Sequence, residues 1–150
     1  MLITGLSMSR EEFLRTWENT PELRQAEFID GIVHVPPPVP PANAEFDFLI
    51  HHWLAAYCDY DRRCKGGANA TWLMLESAPQ PDSHLRLLPE FGGQSKEQQG
   101  KFIGAPELAV EICETSREVD FGPKLALYQR AGVREYITVE TLLPDRKSVV

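Results

Sequence analysis

Disulfide pairs, membrane-spanning runs and an excess of basic charge are all missing from this 150-residue sequence. The three cysteines are an odd set with no paired spacing, which argues against a disulfide scaffold and fits a reducing compartment. No apolar run approaches the ~20 residues that span a bilayer. The N-terminus lacks the basic lead and long apolar core of a signal peptide. We therefore expect a soluble, cytoplasmic protein that does not enter a membrane.

The charge balance is acidic, with 22 acidic and 15 basic residues and a formal net charge of −7. Non-specific nucleic-acid binders gain affinity by neutralising phosphates, so the overall charge does not indicate that class. Net charge does not exclude a local basic patch or a metal site. Two groups of basic residues are typical of a solvated surface: Arg62, Arg63 and Lys65, and Arg86, Lys96 and Lys101.

A single domain over residues 1–150 is expected, because 43% hydrophobic residues can fill one core in a chain of this length. Ser9 and Glu12 form a capping-box pattern for a first helix. Asp30-Gly31 is a tight-turn pair between the two strands of a hairpin. The next segments predict a proline connector (36–41), a helix (43–57), strands (71–75 and 82–88) and an exposed loop (90–101).

The stretch 108–113 contains an acidic residue within a predicted buried strand. Residues 108–113 form a nearly continuous apolar run, as in a strand buried on both faces, yet Glu111 lies inside it. A buried carboxylate loses its hydration and needs a cation, a hydrogen-bond donor or a metal. The following segment predicts a helix that Asp120 caps and Gly132 ends, and then a strand at 134–139. This strand–helix–strand order predicts a parallel strand pair.

A first candidate site combines carboxylates from different strands. Asp82 opens one predicted strand and Glu111 lies within another, and two such groups can hold a hard divalent cation such as Mg²⁺. Lys124, on the following helix, could stabilise charge on a phosphate or help to deprotonate a water. Glu27 could add a third carboxylate. The competing interpretation is that these residues are solvated surface groups, as most acidic residues are.

A second candidate is the pair Asp47 and His51, which are four residues apart on a predicted helix. Neither this spacing nor that of the nearby histidine and cysteines matches a zinc motif, so we interpret the two residues as a surface pair. Cys113 is a third possibility, as a nucleophile. A cysteine in an apolar strand has a raised pKa and reacts poorly.

Several motifs, in this order along the chain, resemble the Uma-two family, which belongs to the PD-(D/E)XK superfamily of restriction-endonuclease-like nucleases. The resemblance runs from about Ser9 to Val139, most of the chain. Its motifs are Glu27-Phe-Ile-Asp-Gly, Pro79-Gln-Pro-Asp82, Gly104-Ala-Pro-Glu-Leu-Ala-Val-Glu111, Lys124-Leu-Ala-Leu-Tyr128 and Ala131-Gly-Val-Arg-Glu-Tyr136.

The resemblance implies a Mg²⁺ (or Mn²⁺) site for phosphodiester hydrolysis, with Asp82 and Glu111 as its ligands. Superfamily members usually carry a lysine two residues after the second acid, where this chain has Cys113, so Lys124 would be the displaced lysine. Glu27 would be an additional N-terminal acid. DNA would be the substrate, and a homodimer would supply the two sites that cutting both strands of a duplex often takes.

The expected fold is α/β: a restriction-endonuclease-like mixed β-sheet of about five strands with helices on both faces. The resemblance also implies that relatives continue past Val139, so we expect a single domain that is shortened at its C-terminus. Two other functions stay open. The acidic net charge, and Asn43 where relatives often carry histidine, favour a catalytically inactive binding or interaction module with the same sheet. A small-molecule phosphoesterase would instead have a closed pocket.

Overall fold

The computed structural model describes residues 1–113 and 117–141. The expected shortening of the C-terminus concerns residues 142–150, which lie outside this range. The helices are α1 (Arg10–Glu18), α2 (Pro41–Tyr60), α3 (Arg117–Val119) and α4 (Leu125–Ala131), with a π-helical turn at Asp120–Lys124 and a 3₁₀ turn at Pro89–Phe91. The strands are β1 (Glu27–Ile29), β2 (Ile32–His34), β3 (Cys64–Ala68), β4 (Trp72–Leu73), β5 (Ser83–Leu87), β6 (Lys96–Gln98), β7 (Lys101–Ile103), β8 (Leu108–Cys113) and β9 (Glu135–Glu140). Within these described ranges, no helix has both the length and the apolarity to cross a membrane.

The first helix and the first hairpin form as the sequence predicts. The Ser9 side chain accepts a hydrogen bond from the backbone N–H of Glu12 at 3.2 Å, which satisfies a donor that the helix itself leaves without a partner. Asp30 and Gly31 both have positive φ, 48° and 88°, as the tight turn between antiparallel β1 and β2 requires. These two elements are therefore specified by a few neighbouring residues each.

The main sheet has four strands in the order β3-β5-β8-β9. Strand β5 runs antiparallel to β3 and β8, whereas β8 and β9 are parallel, as the strand–helix–strand order predicts. Two smaller sheets accompany it, β1-β2 and β4-β7-β6. The mixed α/β architecture confirms the predicted fold class, although the additional strands belong to the smaller sheets and not to one five-stranded sheet.

Helices cover both faces of the main sheet. On one face, Leu54 of α2 packs in a cluster with Val110. On the other face, Leu127 of α4 packs in a cluster with Ala109. Strand β8 is consequently buried along its whole length. Because side chains alternate along a strand, Glu111 lies on the same face as Ala109 and points towards the helical residues 117–131.

Two local predictions are wrong. Residues 90–101 are not a loop throughout, because they contain β6 and the start of β7, which pair antiparallel across a turn at Gln99 and Gly100. Gln-Gly is not among the strong hairpin signals, and the polar composition suggested a loop. Asp120 does not cap a helix, because the helical residues Arg117–Val119 already precede it. Its side chain is buried instead.

Gly67→Ala should destabilise the protein more than Gly66→Ala, although the two glycines are neighbours in β3. A β-carbon at Gly67 would lie 2.5 Å from the ring of His84, which packs against Trp72 with ring centroids 4.9 Å apart. At Gly66 the nearest atom would be a methyl carbon of Leu85 at 3.3 Å, which needs a smaller shift. We expect Gly67→Ala to cost about 1–3 kcal/mol, measured by urea unfolding. Equal losses for the two variants would contradict this packing.

Candidate functional site

The four site residues that the sequence predicts line one cavity of about 270 Å³. Its walls come from the β1–β2 hairpin, the proline-rich segment 36–40, the N-terminal half of α2 and the helical residues that follow β8. The site residues reach it from separate parts of the chain: Glu27 in β1, Asp82 before β5, Glu111 in β8 and Lys124 in the π-helical turn. The fold therefore brings all four together.

Lys124 joins the acidic residues. It is only 3% exposed, and its Nζ lies 2.9 Å from Oε1 of Glu111 and 2.9 Å from Oε1 of Glu27. Oδ1 of Asp120 is 3.5 Å away. Burial disfavours the ammonium, but the attraction of these carboxylates outweighs burial and raises the pKa of Lys124 well above its usual value. Lys124 is therefore a cation throughout the neutral pH range.

Glu111 finds its partners inside the protein. Its Oε1 accepts hydrogen bonds from Nζ of Lys124 at 2.9 Å and from the hydroxyl of Tyr128 at 2.6 Å. Burial raises the pKa of Glu111 well above its usual value, Lys124 opposes this shift, and the neighbouring carboxylates add to it. The buried carboxylate of Glu111 is thus paired with the ammonium of Lys124 and the phenol hydroxyl of Tyr128.

Backbone N–H groups hold the other two carboxylates. Glu27 accepts a hydrogen bond at Oε1 from the N–H of Gln80 at 2.6 Å. Asp82 accepts one at Oδ2 from the N–H of Ile112 at 2.7 Å, which fixes it to strand β8. Burial raises the pKa of Asp82 to about 6, and the attraction of Lys124 limits the rise. Asp82 therefore loses its proton just below neutral pH.

Acidic groups outnumber basic groups in this cavity. Of the lining residues that the structure describes, five are acidic and one is a lysine: Glu27, Asp47, Asp82, Glu111 and Asp120, with Lys124. Among residues 1–113 and 117–141, no three or more histidine, cysteine, aspartate or glutamate side chains are arranged to hold a metal by themselves. Mg²⁺ commonly uses only one or two protein carboxylates and completes its shell with water or substrate oxygens. Asp82 and Glu111 fit that donor set.

Two residues that contact the site, Asp120 and Tyr128, are not among the site residues that the sequence predicts. Asp120 and Tyr128 lie four residues before and after Lys124, and both approach the same ion pair with Glu111. The π-helical turn contains Pro123, which has no N–H to donate to the preceding turn, and such turns are frequent at functional sites. The four-residue spacing is the signal that could have found both residues, because such residues share a helix face.

The structure places the Asp47–His51 pair at the cavity and buries Cys113 in strand β8. Asp47 and His51 are not an isolated surface pair: Oδ1 and Nε2 are 3.8 Å apart, and Nε2 of His51 lies 3.3 Å from the backbone oxygen of Asp82. Asp47 lines the cavity, and burial raises its pKa against the influence of His51. Cys113 is buried, and burial raises the pKa of its thiol, as expected for an inert cysteine. Asp47 therefore belongs to the acidic wall, and the burial and raised pKa of Cys113 disfavour a nucleophilic role.

The basic residues after α2 form ion pairs with their neighbours. Arg63 donates to both oxygens of Asp61, from Nε at 2.9 Å and from Nη2 at 2.7 Å. Nη1 of Arg62 lies 3.4 Å from Oδ1 of Asp59, and both side chains are exposed. These contacts favour the interpretation of a solvated surface over that of a phosphate-binding patch.

A family model named Uma2, with the description "Putative restriction endonuclease", matches residues 10–150. The chain belongs to the Uma2 family. This is the Uma-two family that the motifs indicate, so the resemblance is confirmed. The matched residues include the four predicted site residues Glu27, Asp82, Glu111 and Lys124.

A solved structure shares the Uma2 chain's fold. It is described as "a putative nuclease belonging to DUF820 from Anabaena variabilis ATCC 29413" and has a TM-score of 0.70 at 15% sequence identity. The likeness covers 89% of this chain and 74% of that chain. The comparison with curated proteins gives no match. At this identity the solved structure establishes the common fold, and the roles of individual residues have to be argued from the site.

Lys124→Met should destabilise the protein strongly, because it leaves the buried carboxylates without their cation. We expect a loss of ~3–5 kcal/mol in the free energy of unfolding near pH 8. The pKa values of Glu111 and Asp82 would rise further, so the stability of the variant should fall as pH rises and recover on acidification. Lys101→Met is the control, since it breaks a pair with the exposed Glu18 (3.1 Å) and should cost ~0–1 kcal/mol. Denaturant unfolding over a pH series measures both variants, and similar losses would contradict the role of Lys124.

Asp82→Asn tests the raised pKa of Asp82. The folded protein holds a proton there up to a pKa of about 6, whereas the unfolded chain loses it near pH ~4. The stability of the metal-free protein should therefore fall as pH rises between these values, and this fall should be smaller in the variant. With a chelator above pH ~7 we expect Asp82→Asn to be more stable by ~1–3 kcal/mol. Thermal unfolding of both proteins at several pH values measures this difference. A variant less stable than wild type above pH ~7 would contradict the raised pKa of Asp82.

Proposed function

We propose that this protein is a Mg²⁺-dependent endonuclease that hydrolyses phosphodiester bonds in DNA, with Mn²⁺ as an alternative metal. The observation that carries the proposal is the convergence of Glu27, Asp82 and Glu111 with Lys124 in one cavity. Carboxylates that hold a metal, beside a cation that faces a phosphate, are the groups that phosphodiester hydrolysis needs. Membership of a family described as a putative restriction endonuclease supports nuclease activity and DNA as the substrate.

Asp82 and Glu111 would hold the metal, which supplies an activated water and stabilises negative charge on the phosphate. Both carboxylates are fixed before any ligand arrives. Asp82 accepts the N–H of Ile112, and Glu111 accepts the hydroxyl of Tyr128. Fixed ligands lose little conformational freedom when substrate binds, which lowers the barrier of the reaction.

Lys124 would stabilise the charge that develops on the phosphate. Its pKa is raised by the surrounding carboxylates, and an efficient general base needs a pKa near the working pH. Deprotonation of the attacking water therefore suits Lys124 less well than electrostatic stabilisation. Glu27, 2.9 Å from Nζ, would keep the ammonium charged and oriented.

A second candidate is a catalytically inactive module that binds a partner. It is favoured by one observation: Lys124 already contacts Glu111 and Glu27 directly, so the ammonium neutralises carboxylates that a metal would otherwise balance. The two candidates differ in whether the protein binds Mg²⁺ at Asp82. The cavity of about 270 Å³ is slightly smaller than the ~300–1,000 Å³ of typical small-molecule sites, so we do not extend the proposal to a phosphoesterase of small substrates.

Asp82→Ala and Glu111→Ala should each abolish Mg²⁺-dependent cleavage of supercoiled plasmid, with a loss of at least ~10²-fold in rate. Asp59→Ala is the matched control, because Asp59 is an exposed acid on α2 and should leave the rate unchanged. Circular dichroism and thermal unfolding establish that each variant is folded.

Cleavage that persists at the wild-type rate in both site variants would show that the assignment of the active site is wrong. A folded wild type that neither cleaves plasmid nor binds Mg²⁺ or Mn²⁺ would instead favour the inactive binding module. Cleavage lost in Asp59→Ala as well would point to a general effect of removing acidic charge.

A further inference from the structure

Helix α2 carries an apolar stripe that stays partly exposed in the part of the chain that the structure describes. Its five side chains are 38–89% exposed: Phe46, Leu49, Trp53, Tyr57 and Tyr60. At 3.6 residues per turn, all of them lie within about 40° of Trp53 around the helix axis. Leu54, which packs against the sheet, lies about 100° away. The stripe therefore lies beside the face that packs on the sheet, and Trp53 and Tyr57 also border a groove with Leu85 and Ile137 of the sheet.

The spacing of the stripe is symmetric about Trp53. Phe46 and Tyr60 lie seven residues to either side of it, and Leu49 and Tyr57 lie four residues to either side. Two antiparallel copies of α2, related by a two-fold axis at Trp53, would place Phe46 against Tyr60 of the partner subunit and Leu49 against Tyr57 of the partner subunit. An interface between two identical surfaces requires this self-complementarity. We propose that α2 forms a homodimer interface by packing antiparallel on a second copy of the chain.

The exposed area approaches what a standard dimer interface buries. Four of the five residues are aromatic, and an aromatic side chain buries ~150–250 Å² when it is fully covered. At the observed exposures the stripe offers roughly 600 Å² on each protomer. With a polar rim this approaches the ~800 Å² per partner of a standard interface, and it lies at the upper end of the apolar patches that monomers expose.

Charge favours the antiparallel direction. Glu45 lies beside the stripe near the start of α2, and Arg62 follows the end of the helix. The contact of Arg62 with Asp59 is 81% and 77% exposed at 3.4 Å, so it contributes little and leaves Arg62 able to change partners. Antiparallel packing brings Glu45 of one copy near Arg62 of the other and opposes the two helix dipoles. Parallel packing would place like charges together.

The proposed interface leaves the cavity accessible. Asp47, which lines the cavity, lies about 120° from Trp53 around the helix axis. Each copy would keep its own cavity on a separate face of α2. The inference goes beyond the proposed nuclease function and does not depend on it, because the stripe can pair whether or not the cavity is catalytic.

Sedimentation velocity of the full chain tests the dimer. We expect wild type at twice the monomer mass of 17.0 kDa, and Leu49→Glu and Trp53→Glu at the monomer mass. Phe48→Glu is the matched control: Phe48 is 74% exposed on the same helix but lies about 140° from Trp53, so this variant should stay dimeric. Circular dichroism confirms that the variants fold. A monomeric wild type would overturn the proposal, because a second copy of the chain would then not cover the stripe.

Cysteine cross-linking tests the direction of packing. Trp53→Cys should form an intermolecular disulfide under mild oxidation, because the two copies of this position meet at the axis. Phe46→Cys alone should not cross-link, whereas a mixture of Phe46→Cys and Tyr60→Cys protomers should. Wild type, with its native cysteines, gives the background on a non-reducing gel. Cross-linking of Phe46→Cys with itself, or dimers that survive Trp53→Glu, would overturn the antiparallel arrangement.

Discussion

The ion pair between Nζ of Lys124 and Oε1 of Glu111 is the contact on which the candidate site depends. A carboxylate in the middle of a strand buried on both faces is costly unless it is paired and hydrogen-bonded. The ammonium at 2.9 Å and the hydroxyl of Tyr128 at 2.6 Å supply both kinds of partner. Lys124 in turn tolerates its own burial because Glu27 and Glu111 surround it. Lys124 therefore offsets part of the cost of burying the Glu111 carboxylate, while Glu27 and Glu111 together keep Lys124 charged.

The topology of the sheet creates this pair. Alternation along β8 turns Glu111 to the face that α4 covers, and the crossover between parallel β8 and β9 carries Lys124 over that face. The hairpin β1–β2 and the residues before β5 then add Glu27 and Asp82. More carboxylates converge than one ammonium balances. This excess of negative charge is the physical reason to expect a divalent cation. Burial raises the pKa of Glu111, Lys124 opposes the rise, and the neighbouring carboxylates add to it.

Features decided by a few adjacent residues could be predicted from the sequence. The Ser9 cap, the Asp30-Gly31 turn and the buried strand at Leu108–Cys113 are of this kind. The four residues that meet in the cavity could be named as one candidate site from their predicted strands and helix, and the family resemblance then favoured that site over the interpretation of solvated surface groups. The burial of Asp120 and the hydrogen bond of Tyr128 depend on how a π-helical turn sits against β8. Such tertiary contacts are not encoded in local propensity. The β6–β7 hairpin is local, but its Gln99-Gly100 turn is a weak signal in a polar stretch.

We propose that the carboxylates around Lys124 hold one divalent cation in addition to the ammonium. A crystal soaked in Mn²⁺ and measured at a wavelength where manganese scatters anomalously tests this claim directly. We expect one anomalous peak between Asp82 and Glu111, with Lys124 still paired with Glu27. No peak in the cavity, or a peak only elsewhere on the surface, would contradict it and would show that the ammonium takes the place of a metal.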